Sequence, residues 1–204
     1  MNDVRFNKIL ISINAFIPFV MIAYDGFNSR LGANPLEFFL RTTGVLTLTS
    51  LVITLSITPL RKLFGWNSLI KYRRMIGLYA FFYACLHLIT YSIFDKSLNV
   101  PEIVADVLKR PFIAIGMIAF LMLVPLAVTS TNGMVKRLGG KNWSRLHKLT
   151  YVIVVLGVIH FWMIVKSDIF YPAMFGGVVL LLLLFRLVYN LRSKAQPVKK
   201  TVPA

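Results

Sequence analysis

An all-α membrane protein of six transmembrane helices, with both termini in the cytoplasm, is the fold class this sequence predicts. Three observations predict it. The 204 residues are 57% hydrophobic and only 15% charged, where a soluble domain carries about a quarter charged residues, and the mean hydropathy is +0.73. Six apolar runs each come close to the ~20 residues that a helix needs to cross a bilayer. The Lys and Arg residues between those runs collect on alternate sides, 17 on one and 6 on the other. The positive-inside rule then assigns both termini and the loops at 61–74 and 131–148 to the cytoplasm. Six of the seven acids (Asp25, Glu37, Asp95, Glu102, Asp106 and Asp168) fall on the opposite side.

The net charge of +16 would point to nucleic acid in a soluble protein. Here the basic residues sit in short clusters between apolar runs, so membrane topology accounts for them and no nucleic-acid partner is expected. Cys85 is the one cysteine, which excludes an intrachain disulfide and a CxxC metal or redox motif. Inside an apolar helix it reads as a small hydrophobe.

The spans follow in order, and together they make one transmembrane domain over 1–192. The first covers about 8–24. Its short basic start is that of a signal peptide, but no A-x-A-like site follows, so a retained helix is expected, kinked at Pro18. The second, about 42–60, is rich in Thr and Ser that can bond helix carbonyls, and Pro59 is expected to mark its end. The third covers about 74–94. The fourth, about 111–129, opens on Pro111, which suits a first helical turn. The fifth covers about 148–166 and the sixth about 170–190. Residues 193–204, polar and basic, read as a disordered tail. No internal repeat is visible. Tyr24, Trp66, Tyr72, Tyr91, Trp143 and Tyr171 at the helix ends fit interfacial belts, or simply hydrophobic anchors.

The chain has three histidines, and two of them lie deep in apolar helix. His87 is 13 residues beyond Arg74, and His160 is 13 residues beyond His147. At ~1.5 Å per residue each climbs about 20 Å from the cytoplasmic face. The two rings should therefore share one depth, in the outer half of the bilayer, on parallel helices. A single intramembrane His is often an interhelical hydrogen-bonder. Two at matched depth suit the axial positions of a haem held between helices. Gly157, Ala84 and Ala80 leave room for a flat ring on these faces, and Phe81, Phe82, Tyr83, Tyr91, Phe161 and Trp162 could line its edges. Zinc would need a third His, Cys or carboxylate at that depth, and none is there. A proton or ion relay in a small transporter or channel stays open as the rival, although these helices lack buried Asp and Glu.

His147 stands apart. Thirteen residues at ~100° each turn it roughly opposite to His160 on an ideal helix. The third helix offers Arg73 and Arg74 at its depth rather than a second His. It reads either as a ligand to a second, inner haem or as an interfacial His among basic residues. Arg73, Arg74 and Arg145 suit haem propionates or lipid phosphates.

The runs RRMIGLYAFFYACLHLITY, RPFIAIGMIAFLMLVPLAVTST and LGGKNWSRLHKLTYVIVVLGVIHFWMIVK resemble the MsrQ family, also called YedZ, within the ferric-reductase-like transmembrane group. The resemblance runs from LGANP, near residue 31, to about residue 190. It implies a six-helix haem b cytochrome of the bacterial inner membrane, with one haem or two. Such a subunit passes electrons from the quinone pool or a cytosolic flavin reductase to a periplasmic molybdopterin enzyme of the MsrP type, which repairs methionine sulfoxide in envelope proteins. FMN is also associated with the family. The family's haem-binding histidines fall on His87, His147 and His160. The broader group often has two histidines on each of two helices. Arginine stands here at the depth of the fourth. The chain carries no flavin or nucleotide-binding domain, which argues against a stand-alone ferric reductase, and no independent catalytic site is identified.

Overall fold

The computed structural model describes residues 3–165 and 167–195. Among them there is no strand, and six helices are long and apolar enough to cross a membrane. Nine α-helices follow one another: α1 (Asp3–Phe27), α2 (Pro35–Phe64), α3 (Arg73–Thr90), α4 (Val100–Lys109), α5 (Pro111–Val128), α6 (Asn132–Leu138), α7 (Gly140–Leu146), α8 (Leu149–Ile164) and α9 (Phe170–Ala195). The six spans are α1, α2, α3, α5, α8 and α9, with α7 leading into α8 and a π-helical turn, Tyr91–Asp95, extending α3. The sixth span reaches three residues into the stretch expected as a tail. Residues 196–204 lie outside the described residues.

The second span begins seven residues before its expected start at 42. The Asn34 side chain accepts from the Glu37 amide at 3.2 Å and donates to the Glu37 carboxylate at 3.0 Å, while Pro35 fills the first helical position. This is a reciprocal cap of the kind that starts a helix before its apolar run. The second span also ends later than expected. Pro59 does not stop α2, which continues to Phe64 and closes on Gly65 at φ 72°, a left-handed position that glycine takes without steric cost.

A proline inside a helix strands the carbonyl four residues before it. For Pro59 that carbonyl belongs to fully buried Leu55. The Arg186 guanidinium of α9 donates to it at 2.6 Å and to the Tyr151 hydroxyl of α8 at 2.7 Å. The cation also lies 5.0 Å from the centre of the Tyr151 ring. Arg186 thus sits inside the bundle, where its charge holds α2, α8 and α9 together.

Two antiparallel helix pairs form the centre, α2 with α3 and α5 with α8. Leu48, Leu51 and Leu55 of α2 meet Ala80 of α3, Leu123 and Leu126 of α5, Ile153 and Val154 of α8, and Val179 of α9. In a bilayer such contacts hold by close packing rather than by escape from water, because lipid tails are as apolar as leucine. α1 is peripheral, with Pro18 inside it. It is fixed to α3 by Phe16 and Phe19 against Phe82, and by the Tyr83 hydroxyl on the Ala15 carbonyl.

The loop expected at 95–110 contains α4, capped by the Asn99 side chain on the Glu102 amide at 3.3 Å. Lys96, almost fully buried, anchors it with ion pairs to Asp106 at 2.8 Å and Glu102 at 2.9 Å. The backbone reaches that position through two successive left-handed residues, Ser97 (φ 46°) and Leu98 (φ 57°), a conformation that disfavours L-residues by roughly 1–2 kcal/mol each. The Lys96 pairs and the Asn99 cap offset that strain.

Candidate functional site

His87 of α3 and His160 of α8 meet between the helices near one end of the bundle, where α3 and α8 finish and α2 and α5 begin. Their ring centres are 6.2 Å apart and the rings are nearly perpendicular, at 82°. The equal climb from the basic end therefore brings together the two histidines that it pairs. His87 Nδ1 lies 3.0 Å from the Leu40 carbonyl oxygen, near the start of α2. His160 Nδ1 lies 2.7 Å from the Phe112 carbonyl oxygen, in the first turn of α5. A carbonyl only accepts, so each Nδ1 carries the proton and donates it, and each Nε2 keeps its lone pair. The Thr43 hydroxyl is a further 3.4 Å neighbour of His87 Nδ1. Its own proton is engaged with the Phe39 carbonyl at 2.8 Å.

Two imidazoles in this tautomeric state can hold a metal ion between them. A ligating nitrogen stands ~2 Å from a first-row ion, and the ring centre lies roughly 1 Å behind it, so two rings across one ion are about 6 Å apart. The observed spacing fits. Among the described residues no group of three or more His, Cys, Asp or Glu gathers around a common point.

The small and aromatic residues expected around the pair are arranged differently. Gly157 packs on Leu48, since a β-carbon there would stand 3.3 Å from its Cδ1. Ala80 belongs to the buried core. Phe82 and Tyr83 turn to α1, the Tyr91 hydroxyl donates to Asp106 at 3.1 Å, and Phe161 packs on Phe175 of α9. Trp162 is exposed on the outer surface. Phe81 stacks on Phe120 of α5.

His147 lies elsewhere. His147 and Lys148 form a turn between α7 and α8, with right-handed helical backbone but not the regular α-helical pattern. There the Thr150 hydroxyl takes the His147 carbonyl at 2.9 Å. The azimuth of an ideal helix therefore does not apply to it. The ring stacks on Trp143 at 3.9 Å, and Nε2 is 3.1 Å from the Thr129 hydroxyl. The Trp143 indole donates to the Thr129 carbonyl at 2.9 Å. Together they close the end of α5. Beside them is an open cleft of about 330 Å³ lined by Arg74, Asn132, Val135, Lys136 and Trp143. Arg74 is held there by a 2.5 Å bond to the Asn132 side chain.

Residues 42–158 match the family model described as the ferric reductase like transmembrane component. A protein of Herminiimonas arsenicoxydans named as the heme-binding subunit MsrQ of a protein-methionine-sulfoxide reductase is 51% identical over 191 residues. The match covers 93% of this chain and 88% of that protein. The chain belongs to the MsrQ family. A Rhodospirillum rubrum protein of the same name is 46% identical over 190 residues, covering 93% and 91% of the two chains. An MsrQ from Xanthomonas euvesicatoria pv. vesicatoria is 42% identical over 202 residues, covering 96% and 92%. The match spans nearly the whole length of these relatives, so the six-span bundle is that of an MsrQ protein. Together with the six apolar helices it marks the chain as a multi-pass membrane protein.

Proposed function

We propose that this chain is a haem b electron-transfer subunit that passes electrons outward to a periplasmic molybdopterin methionine sulfoxide reductase of the MsrP type. One observation carries the reading. His87 and His160 lie 6.2 Å apart between ring centres, near enough for both imidazoles to hold one haem iron, each with its Nδ1 against a backbone carbonyl. The MsrQ relatives are named as heme-binding subunits of a methionine-sulfoxide reductase, which favours haem as the group and that reductase as the acceptor.

Bound between the two imidazoles, haem would supply a one-electron ferric/ferrous couple. The residues of the chain do the rest. The Leu40 and Phe112 carbonyls hold the rings in orientation and make Nε2 more basic, as outer-shell partners of metal-bound histidine do. The apolar helices around the pair exclude water, which keeps the site's dielectric low and favours a stable couple. The pair lies near the helix ends opposite the basic loops. With the orientation expected from positive charge, that is the periplasmic end of a bacterial inner-membrane protein. Delivery across a short distance to a periplasmic partner follows from that position.

Uptake would occur at the other end. The cleft beside His147 presents Arg74, Lys136 and the Trp143 ring. These groups suit an anionic or aromatic electron carrier, such as FMN or the contact face of a cytosolic flavin reductase. The quinone pool is the other donor consistent with the family. A second haem ligated through His147 Nε2 would take the place of its hydrogen bond with Thr129.

The test is a reduced-minus-oxidised absorption spectrum of the purified chain, made with ample haem, followed by addition of an oxidised MsrP-type enzyme. Low-spin haem b bands that bleach on adding the acceptor are expected. A chain that folds and stays free of haem would sink this reading and favour the transporter alternative.

A further inference from the structure

We propose that Gly116 is a positioning residue for the His160 imidazole, leaving the ring room against the Phe112 carbonyl that fixes its tautomer, and that Gly44 is a looser counterpart beside His87. This rests on the haem reading only for its effect on ligand strength. The geometry stands without it.

The two histidines are held in the same way on two different helix pairs. His160 reaches the carbonyl of Phe112, and the residue four further along α5 is Gly116. His87 reaches the carbonyl of Leu40, and the residue four further along α2 is Gly44. In each case the ring lies over the turn whose carbonyl accepts from Nδ1 and whose ordinary helical donor is the glycine amide. A carbonyl oxygen has two lone pairs, so it can accept from both. Reaching it brings the imidazole against the helix backbone, where a β-carbon one turn later comes close to the ring.

The clearances differ. A β-carbon on Gly116 would stand 2.8 Å from His160 Cε1 and 2.9 Å from Nδ1, closer than nonbonded atoms approach. The crowded edge of the ring includes Nδ1, the atom bound to the Phe112 carbonyl, so the ring cannot back away without stretching that bond. On Gly44 the β-carbon would stand 3.4 Å from both Cε1 and Nδ1 of His87, which is close contact without overlap. The glycine at 116 is thus required by the ring, and the one at 44 is permissive. Helix propensity does not explain either, since alanine is the better residue inside a helix. Gly177, in α9, has nothing within 4 Å of the same position and is the natural control.

The experiment has two arms, both on the purified full-length chain. In the first, ¹⁵N spectra of the histidine rings are recorded with any haem reduced to its diamagnetic ferrous state. Nδ1–H imidazoles are expected at both His87 and His160 in the unsubstituted chain. An Nε2–H ring at either position overturns the proposal, and this holds even if Gly116→Ala fails to fold. In the second arm, haem retention and the spin state of Gly116→Ala, Gly44→Ala and Gly177→Ala are compared. Gly116→Ala is expected to lose the His160 Nδ1–H signal and to weaken haem binding by roughly ten- to a hundred-fold, the range for lost outer-shell support. Gly44→Ala should shift the spectrum slightly and Gly177→Ala not at all. A Gly116→Ala protein with an unaltered low-spin spectrum overturns the positioning role while leaving the haem reading intact. Two Nδ1–H rings in a chain that binds no haem would do the reverse.

Discussion

The ring nitrogens of the three histidines touch different things, and that separates them. His87 and His160 donate from Nδ1 to helix carbonyls and face each other, whereas His147 stacks on Trp143 and shares a hydrogen bond with a hydroxyl. A residue-scale prediction concerns the ion cluster at the far end of α3. The Lys96 ammonium, followed by the Tyr91 hydroxyl and Arg110, holds the Asp106 carboxyl below the usual carboxylate range. Hydrogen bonds to Asp106 and then Glu102 hold Lys96 above the usual lysine range. The contribution of Asp106 to stability is therefore complete above the ordinary carboxylate pKa of about 4, and is lost as pH falls through the lower folded value. That of Lys96 is complete below about 10.4 and is lost as pH rises through the higher folded value. The thermal-stability advantage of the unsubstituted chain over Asp106→Asn, followed from pH 3 to 9, should be constant between about 5 and 9 and shrink below about 4. An advantage unchanged across that acid range would contradict the role given to this carboxylate.

At the scale of elements, the spans were legible in their apolar length, but their ends were not. α2 starts at Pro35 because of a capping pair, Asn34 and Glu37, that lies outside the apolar run. That extension carries Leu40, whose carbonyl holds His87. Pro59 looks like a stop because proline removes a helix bond. It is tolerated because Arg186, 127 residues later in the chain, supplies the missing donor. No local pattern reveals such a partner. The interruption of LLLLFRLVYN by one arginine was the available signal. Arg186→Met should destabilise the protein by about 1–3 kcal/mol, the usual cost of a buried carbonyl left unpaired. Pro59→Ala restores an amide four residues after Leu55, so the same Arg186→Met change should cost less in that background. A double-mutant cycle on unfolding in detergent reads the coupling. Additive effects would separate Arg186 from the proline.

For the whole molecule, the periodic climb from Arg74 to His87 and from His147 to His160 was enough to match their depths, because helix rise is nearly constant. It could not reveal that α2–α3 and α5–α8 hold their histidines in the same way. The repeat consists of a carbonyl, a glycine four residues on and a ring from the next span. Across the whole chain it amounts to two glycines and two histidines among unrelated apolar residues, too few to read as a sequence repeat. Nor could a straight helix foresee the turn at His147, which depends on Thr150, Trp143 and Thr129. The resulting molecule has a ring pair near one end and a basic cleft near the other, joined by closely packed helices and belted by exposed Leu, Ile, Val and Phe that suit lipid. The proposed function requires a haem between His87 and His160. Reduced-minus-oxidised spectra of His87→Ala, His160→Ala and His147→Ala test it most directly. The account predicts that the first two each abolish the same low-spin signal while His147→Ala retains it. Survival of that signal in either His87→Ala or His160→Ala would contradict it.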